Sequence, residues 1–239
     1  MKRSIFIFIL LFTAAQCTAQ KKGSLKTINL PKFDLRWYHF GMALGYNNSD
    51  FFMERNIDPT FSDSLVTLRG QSQPGFNINI VTAAHLGRGI SIRFLPGISP
   101  KDRLLEYTFL NPDLSESVFK KRIESFYLEF PVFLKWRTDR INNFAAYLMV
   151  GGKYAIDMQS QKDVDNQLDE AIVIKTSEKE WAASYGGGFD FFLPYFKFGI
   201  ELRHEVGMNN IFIDDNTRFS HPLQSLRSRN FVLSLTFEG

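Results

Sequence analysis

The side chains that could carry out chemistry are few and widely spaced. The four histidines are His39, His85, His204 and His221. His39 and His85 lie in segments with strand-like alternation, where a hydrogen-bonded structural histidine is the favoured interpretation. His221 follows Asp214 and Asp215 in a polar stretch, and an Asp–His pair can serve as a general base. An enzyme site there is a minor alternative, and the sequence predicts no catalytic residue.

Motifs for metals and phosphates are also missing from the sequence. No HExxH segment, nucleophile elbow or phosphate loop is present. Gly186-Gly187-Gly188 lacks the Lys-Ser/Thr of a phosphate loop, so we predict a packing role. The acidic run DVDNQLDE lacks the glycine and terminal glutamate of a calcium loop and predicts a solvated loop. We therefore expect no metal and no cofactor.

The N-terminus has the composition of a secretory signal peptide. The basic pair Lys2-Arg3 precedes an apolar run of about ten residues and then small residues. This run is shorter than the roughly 20 apolar residues that a membrane-spanning helix needs. We expect cleavage after Ala19, which would remove the single cysteine, Cys17. A lipoprotein anchored at Cys17 is the alternative, and Gln16 disfavours it because a small residue is expected there.

The net charge does not indicate a nucleic-acid partner. Removal of Lys2 and Arg3 with the signal peptide reduces the 28 basic residues to 26, against 25 acidic residues. Nucleic-acid binding usually requires a clustered basic surface, which this balance does not suggest. The chain is instead rich in aromatic residues, at 15%.

Eight later segments alternate apolar and polar side chains with the two-residue period of a β-strand. They are residues 37–47, 75–86, 90–99, 125–137, 144–157, 181–193, 195–206 and 228–238. The connections between them alternate strictly in length. The long ones are residues 48–74, 100–124, 158–180 and 207–227, and the short ones are residues 87–89, 138–143 and 194. Short periplasmic turns and long extracellular loops are typical of outer-membrane barrels.

The sequence therefore predicts an all-β fold, an eight-stranded antiparallel up-and-down transmembrane β-barrel of the outer-membrane type. Residues 1–19 are the predicted signal peptide, residues 20–36 a polar periplasmic lead-in, and residues 37–239 the barrel. An even number of strands leaves both termini in the periplasm. Outer-membrane lipid is then an expected partner.

The side-chain pattern favours this membrane barrel over a soluble barrel of the lipocalin type. A water-facing surface should be dense in charged residues, whereas the second face of the early strands holds small or neutral residues such as Ala43 and Asn79. A narrow interior accommodates such residues together with charges that pair. The predicted luminal polar network is Arg93, Glu129, Lys135, Lys153, Glu201 and Arg203. We expect such a lumen to be plugged.

Aromatic residues near the strand ends favour the same interpretation. Trp37, Trp136 and Trp181 are placed as the interfacial girdles of a barrel require. His204 lies on the apolar face near a strand end, where it is expected at the interface. The final segment NFVLSLTFEG is similar to the signal that directs barrel insertion into the outer membrane.

Several passages, taken in order, resemble one family. They are YHFG (38–41), GQSQPGFNINIV (70–81), SIRFLPGIS (91–99), LLEYTF (104–109), ESFYLEFPVFLKW (124–136), RINNFAAYLMVGGKY (140–154) and GGFDFFLPYFKFGIELR (187–203). Together they resemble the PorT family, also called SprT, of the Bacteroidetes outer membrane. The resemblance covers roughly residues 30–239 and is weakest over 48–69 and 157–180.

The resemblance implies an accessory or assembly component of type IX protein secretion, linked to gliding motility. It implies protein partners in that apparatus and provides no catalytic residues to transfer. An eight-stranded barrel is too narrow for protein cargo, so a partner would have to supply the conduit. The alternative is a general small outer-membrane barrel with a surface binding or adhesion role.

Overall fold

One antiparallel sheet contains the nine β-strands found in the described part of the chain. The structure is a computed structural model that describes residues 28–56, 65–87, 89–160, 172–215 and 217–239. The strands are β1 (Tyr38–Arg55), β2 (Leu65–Gly87), β3 (Ile90–Phe94), β4 (Gly97–Leu110), β5 (Glu116–Arg137), β6 (Phe144–Asp157), β7 (Lys179–Phe192), β8 (Lys197–Gly207) and β9 (Leu223–Glu238). A short 3-10 turn, Phe33–Leu35, precedes β1.

The sheet closes because β1 pairs with both β2 and β9. β3 and β4 each lie between β2 and β5, so they are two halves of one strand. The break falls at Leu95 and Pro96, since proline has no N–H to donate to the ladder. The ring therefore has eight strand positions, and the predicted eight-stranded antiparallel up-and-down barrel is confirmed. The predicted strand 90–99 is corrected to an interrupted strand that continues to Leu110.

Strands on one side of the barrel are longer than the sequence predicts. The predicted long loops 48–74 and 100–124 are wrong for most of their length, because β1, β2, β4 and β5 extend into them. Only residues 111–115 connect β4 to β5, fewer than the six residues 138–143 between β5 and β6. The predicted strict alternation of loop length is therefore wrong at this point, although residues 158–178 and 208–222 are long connections.

The two faces of these strand extensions explain why they were missed. Outward-facing Glu106 forms an ion pair with Lys120 at 3.5 Å, and Asp102 pairs with Arg122. Inward-facing Tyr107 is buried. The extensions thus have a polar outside and an apolar inside, which is the opposite of a lipid-facing strand.

An apolar belt surrounds the outside of the ring below these extensions. It consists of exposed side chains that alternate with buried ones, such as Phe40, Ile80, Leu148 and Leu202. Apolar bands of this kind face lipid in outer-membrane barrels. We call these outward-facing apolar side chains the belt.

Within the described ranges, no helix has the length and apolar character needed to cross a membrane.

Candidate functional site

The interior of the barrel holds charged side chains that balance one another. Apart from His39, the buried charged residues of the described ranges are seven basic and seven acidic ones. The basic ones are Arg93, Lys101, Arg103, Lys135, Lys153, Lys197 and Arg203, and the acidic ones are Glu129, Asp157, Glu180, Asp190, Glu201, Glu205 and Glu238. A buried charge without a partner is costly, and the equal numbers reduce that cost.

Glu238, the last residue of β9, is the centre of a cluster toward the periplasmic end. Its carboxylate contacts Arg93 Nη2 at 3.1 Å and Lys197 Nζ at 2.8 Å. Arg93 donates its Nη1 to Glu201 at 2.6 Å, and the Tyr147 hydroxyl donates to the same carboxylate at 2.9 Å. These contacts join residues of four strands across the lumen, so they fill it rather than line it.

Lys135 extends this periplasmic cluster along β5. Its ammonium group donates to Asp190 at 2.8 and 3.1 Å. The same nitrogen lies 3.4 Å from the centroid of the Tyr147 ring, which is a cation–π contact. Lys135 therefore connects the carboxylate of β7 to the aromatic ring of β6.

A second cluster, which we call the outer cluster, lies nearer the extracellular end. Lys153 Nζ bridges Glu129, at 3.0 Å, and Glu205. Lys101 Nζ donates to Glu129 at 2.5 Å and lies 3.9 Å from Glu205. Two lysines and two glutamates thus form a compact neutral group.

All six residues of the predicted luminal network lie in the interior, with exposed fractions of 3% or less. The structure divides them between the two clusters. Arg93, Lys135, Glu201 and Arg203 belong to the periplasmic cluster, where Arg203 Nε lies 3.3 Å from Glu201. Glu129 and Lys153 belong to the outer cluster.

Eight further buried charges lie outside the predicted network. Lys197 and Glu205 lie four residues before and after Glu201 on the same strand, so the alternation alone could have identified them. Lys101 and Arg103 lie in the predicted loop 100–124, for which the sequence predicts no inward face. Their inward orientation follows only from the extension of β4.

Above the charged clusters, the strand extensions enclose an apolar core. Its buried residues include Phe51, Leu105, Tyr107 and Ile211, with Phe219 from the connection before β9. The Tyr107 hydroxyl donates to the carbonyl oxygen of Phe219 at 3.0 Å. This contact fixes the last long connection over the mouth of the barrel.

The segment before β1 covers the periplasmic end. The ring of Phe33 is buried, 4.7 Å from the His39 ring and 6.0 Å from the Phe192 ring. Asp34 forms ion pairs with Arg137 at 2.7 Å and Arg140 at 2.8 Å. The lumen is therefore filled at both ends and in the middle.

A pair of tilted histidine rings lies beside Phe33. The centroids of His39 and His85 are 5.0 Å apart, and His39 Nε2 contacts the Glu238 carboxylate. His204 lies instead on the outer face, where its Nδ1 is 2.9 Å from the Tyr185 hydroxyl. The structure thus places these three histidines in packing or hydrogen-bonding contacts.

The remaining candidate sites of the sequence have the following positions. His221, Asp214 and Asp215 lie in the connection 208–222, where the Thr217 hydroxyl donates to Asp215 at 3.0 Å. DVDNQLDE lies outside the described residues. The described ranges contain no group of three or more His, Cys, Asp or Glu side chains that could hold a metal ion.

The three consecutive glycines of β7 allow close approach of the neighbouring strands. A Cβ on Gly186 would lie 2.2 Å from the Leu202 carbonyl oxygen. On Gly188, it would lie 2.3 Å from the Ile200 carbonyl oxygen and 2.7 Å from the Tyr147 hydroxyl. All three distances are shorter than a side chain tolerates, which agrees with a packing role.

A closed antiparallel ring with an apolar outer belt and a charged interior defines the class of outer-membrane β-barrels. The family model for the outer membrane protein beta-barrel domain matches residues 16–213. The chain therefore belongs to this family, and it is a protein of the outer membrane. A comparison with curated proteins finds no match.

Comparison with solved structures gives matches at low sequence identity. OprG of Pseudomonas aeruginosa is 11% identical with a TM-score of 0.48, and the match covers 84% of this chain and 95% of OprG. Ail of Yersinia pestis, solved with the heparin analogue sucrose octasulfate, is 12% identical with a TM-score of 0.40, covering 85% and 100%. AlkL, solved by solid-state NMR in DMPC bilayers, is 14% identical with a TM-score of 0.40, covering 92% and 95%.

Proposed function

We propose that this protein is a non-enzymatic, plugged barrel that acts by binding a protein at the extracellular end. The observation that carries this proposal is the β4–β5 hairpin, which rises above the belt. Its tip exposes three apolar side chains, Leu110, Leu114 and Val118, with exposed fractions of 36%, 79% and 54%. Apolar side chains grouped on a surface in contact with water are a common mark of interaction sites.

The tip of this hairpin is held in a defined shape. The N–H of Asn111 donates to the Ser115 carbonyl oxygen at 2.8 Å, and the Ser115 hydroxyl donates to Asp113 at 2.6 Å. The hydrogen bonds that the Ser115 hydroxyl and N–H donate to Asp113 lower the pKa of this carboxyl group. A shaped turn presents its apolar side chains at a smaller entropic cost than a flexible loop would.

Site-specific photocrosslinking in intact cells tests this surface role. A photoreactive amino acid at Val118 should give a protein adduct, because that position faces outward on the hairpin. The matched control is Leu233, which is exposed to a similar extent but lies in the belt on β9. Adducts from both positions, or from neither, would contradict a partner specific to the hairpin.

A second candidate is the accessory role in type IX secretion, with partners in that apparatus. The ordered motifs that resemble the PorT family support it, whereas the matched family is broader and includes no such role in its description. Deletion of the gene should abolish the appearance of type IX cargo in the medium. Unchanged secretion would exclude this role. The surface-binding role is tested separately, by the crosslinking experiment.

A variant with Leu114→Lys and Val118→Lys tests whether the two candidate functions, protein binding by the hairpin and a role in secretion, depend on the same surface. If the hairpin contacts the secretion apparatus, this variant should not restore secretion to the deletion strain, although it reaches the outer membrane. The polar hairpin variant Lys120→Gln is the control. Full restoration by both variants would separate secretion from the hairpin.

The plugged interior and the leader are part of the same proposal. The six predicted luminal residues and their partners fill the lumen, so the barrel is not itself the conduit. Residues 1–19 are a signal peptide cleaved after Ala19, and residues 20–36 a periplasmic lead-in. The mass of the mature protein should correspond to a chain that begins at Gln20, and a mass that retains Cys17 with a lipid would contradict this.

A further inference from the structure

A groove lies on the lipid-facing side of the barrel, across β5 to β9. It lies within the belt and is bordered by Leu148, Tyr185, Leu202 and Phe231. Gly187 leaves a gap between the outward side chains of Tyr185 and Phe189, since it contributes no side chain. The volume of the groove is about 640 Å³, which is within the range of ligand sites.

Polar groups border the extracellular end of this groove. His204 lines it, contacts the Tyr185 hydroxyl at 2.9 Å, and its ring lies 4.4 Å from the ring of Phe231. Arg229 follows Phe231 toward the outside on the same face of β9, with its guanidinium 5.9 Å from that ring. Arg227 is the next outward residue of the strand, and both arginines are exposed.

These two arginines have free hydrogen-bonding capacity toward the membrane surface. Asp50 lies opposite Arg229 on β1, but its carboxylate accepts the Phe51 N–H at 2.8 Å. Over the residues that the structure describes, neither Arg227 nor Arg229 has a carboxylate within ion-pair distance. Exposed guanidinium groups at the edge of a lipid-facing belt are suited to bind phosphate, often through two hydrogen bonds.

We propose that this groove binds an acyl chain of a phosphorylated lipid of the outer leaflet, with the phosphate at Arg227 and Arg229. The belt places the groove in the hydrocarbon phase, where an acyl chain is the available apolar occupant. The arginines lie at the end of the groove from which the headgroup would emerge. The inference is independent of the proposed function, because the groove lies within the belt and the hairpin tip lies above it.

Lipid binding can be measured on the full mature chain in phosphatidylcholine nanodiscs that contain a small fraction of diphosphoryl lipid A. Native mass spectrometry after release from the disc counts the lipid A molecules retained. One variant, Arg227→Gln with Arg229→Gln, removes the phosphate contacts. A second, Ala146→Phe, fills the groove from its outward-facing lining without changing charge.

The matched control is Lys120→Gln with Arg122→Gln, which removes two exposed cations on β5, away from the groove. Barrel folding is checked for every variant by its migration on unheated gels. A basic residue near an anionic lipid surface changes affinity about fivefold, so the arginine variant should lose at least that factor. Ala146→Phe should lose retention as well, and the control should retain as much lipid A as the wild type.

Several results would overturn the proposal. Equal retention by the wild type and the Ala146→Phe variant would exclude the groove, and equal loss in the β5 control would show general charge attraction. Retention of lipid A at the wild-type level by the variant with Arg227→Gln and Arg229→Gln would exclude the phosphate contacts. Displacement of lipid A by inorganic phosphate would show that the arginines bind free phosphate. If a photoreactive amino acid at Leu202 gave a protein adduct and no lipid A were retained, the groove would be a binding site for a protein.

Discussion

At the scale of single residues, the interior consists of charges that depend on one another for stabilisation. Lys153 has no exposed side-chain surface and contacts both Glu129 and Glu205. Two charges that are transferred together from water gain little net stability, because desolvation offsets their attraction. Removal of one partner is different, since it leaves the other charge buried and unpaired.

This difference gives a prediction for the pair Lys153 and Glu205. Lys153→Met and Glu205→Met should each lower the free energy of unfolding by about 3–5 kcal/mol. The double variant should lose clearly less than the sum of the two, because it removes both charges together. Urea unfolding of the barrel in detergent micelles measures all three values.

The exposed pair Arg122 and Asp102 is the control for that cycle. The Arg122 side chain is 59% exposed, and an ion pair in water contributes at most about 1 kcal/mol. Arg122→Met should therefore have a small effect. Additive losses in the Lys153 and Glu205 cycle would show that the two side chains are not energetically coupled.

At the scale of strands, the sequence predicted the membrane-spanning parts and missed their extensions. Segments such as 144–157 have apolar side chains outward and small or charged ones inward, and β6 has these same bounds. The region around Leu105 and Tyr107 alternates equally well, but its apolar side chains face inward beneath a polar surface. The alternation alone does not distinguish a lipid-facing surface from a water-facing one, so the sequence predicts a loop in this region.

The charged interior could be predicted from the sequence only where its strands could be predicted. The alternation located six interior charges because their strands were identified, and it could have located Lys197 and Glu205 for the same reason. It could not locate Lys101, whose strand was not recognised. Nor could it show which charges pair, because Arg93 and Glu238 are 145 residues apart and meet only when the ring closes.

The segment before β1 allows a prediction about one element. The ring of Phe33 packs against Ala145 and Phe192 at the periplasmic end. A chain that lacks residues 20–36 should therefore expose this end. In the mature chain, which has no cysteine if cleavage falls after Ala19, the thiol of Ala145→Cys should react with a water-soluble maleimide at least tenfold faster when the segment is absent.

Ala155→Cys is the matched control for this labelling experiment. Ala155 lies on the same strand, is fully buried, and is next to the outer charged cluster, opposite Glu129. Its reactivity should stay low with and without the segment. Equal reactivity of Ala145→Cys in the two chains would mean that the segment does not cover the end of the barrel.

At the scale of the whole molecule, three successive layers close the lumen. They are the aromatic cluster around Phe33, the two charged clusters, and the apolar core around Tyr107. Each layer joins side chains from strands on opposite sides of the ring. Over the described ranges the interior is therefore filled, and the surfaces left for contact face lipid, the medium and the periplasm.

This architecture predicts the behaviour of the protein in planar bilayers. Because the charged clusters and the apolar core remain when the periplasmic segment is removed, neither the mature chain nor the chain without residues 20–36 should show a large, steady conductance. A variant that empties the interior, with Arg93→Ala, Lys153→Ala and Arg203→Ala, provides the contrast and should show measurable current if it still folds. Incorporation of each protein must be verified by recovery from the bilayer-forming vesicles. A steady conductance from the intact mature chain would contradict the filled interior, and with it the assignment of the protein's action to its surfaces.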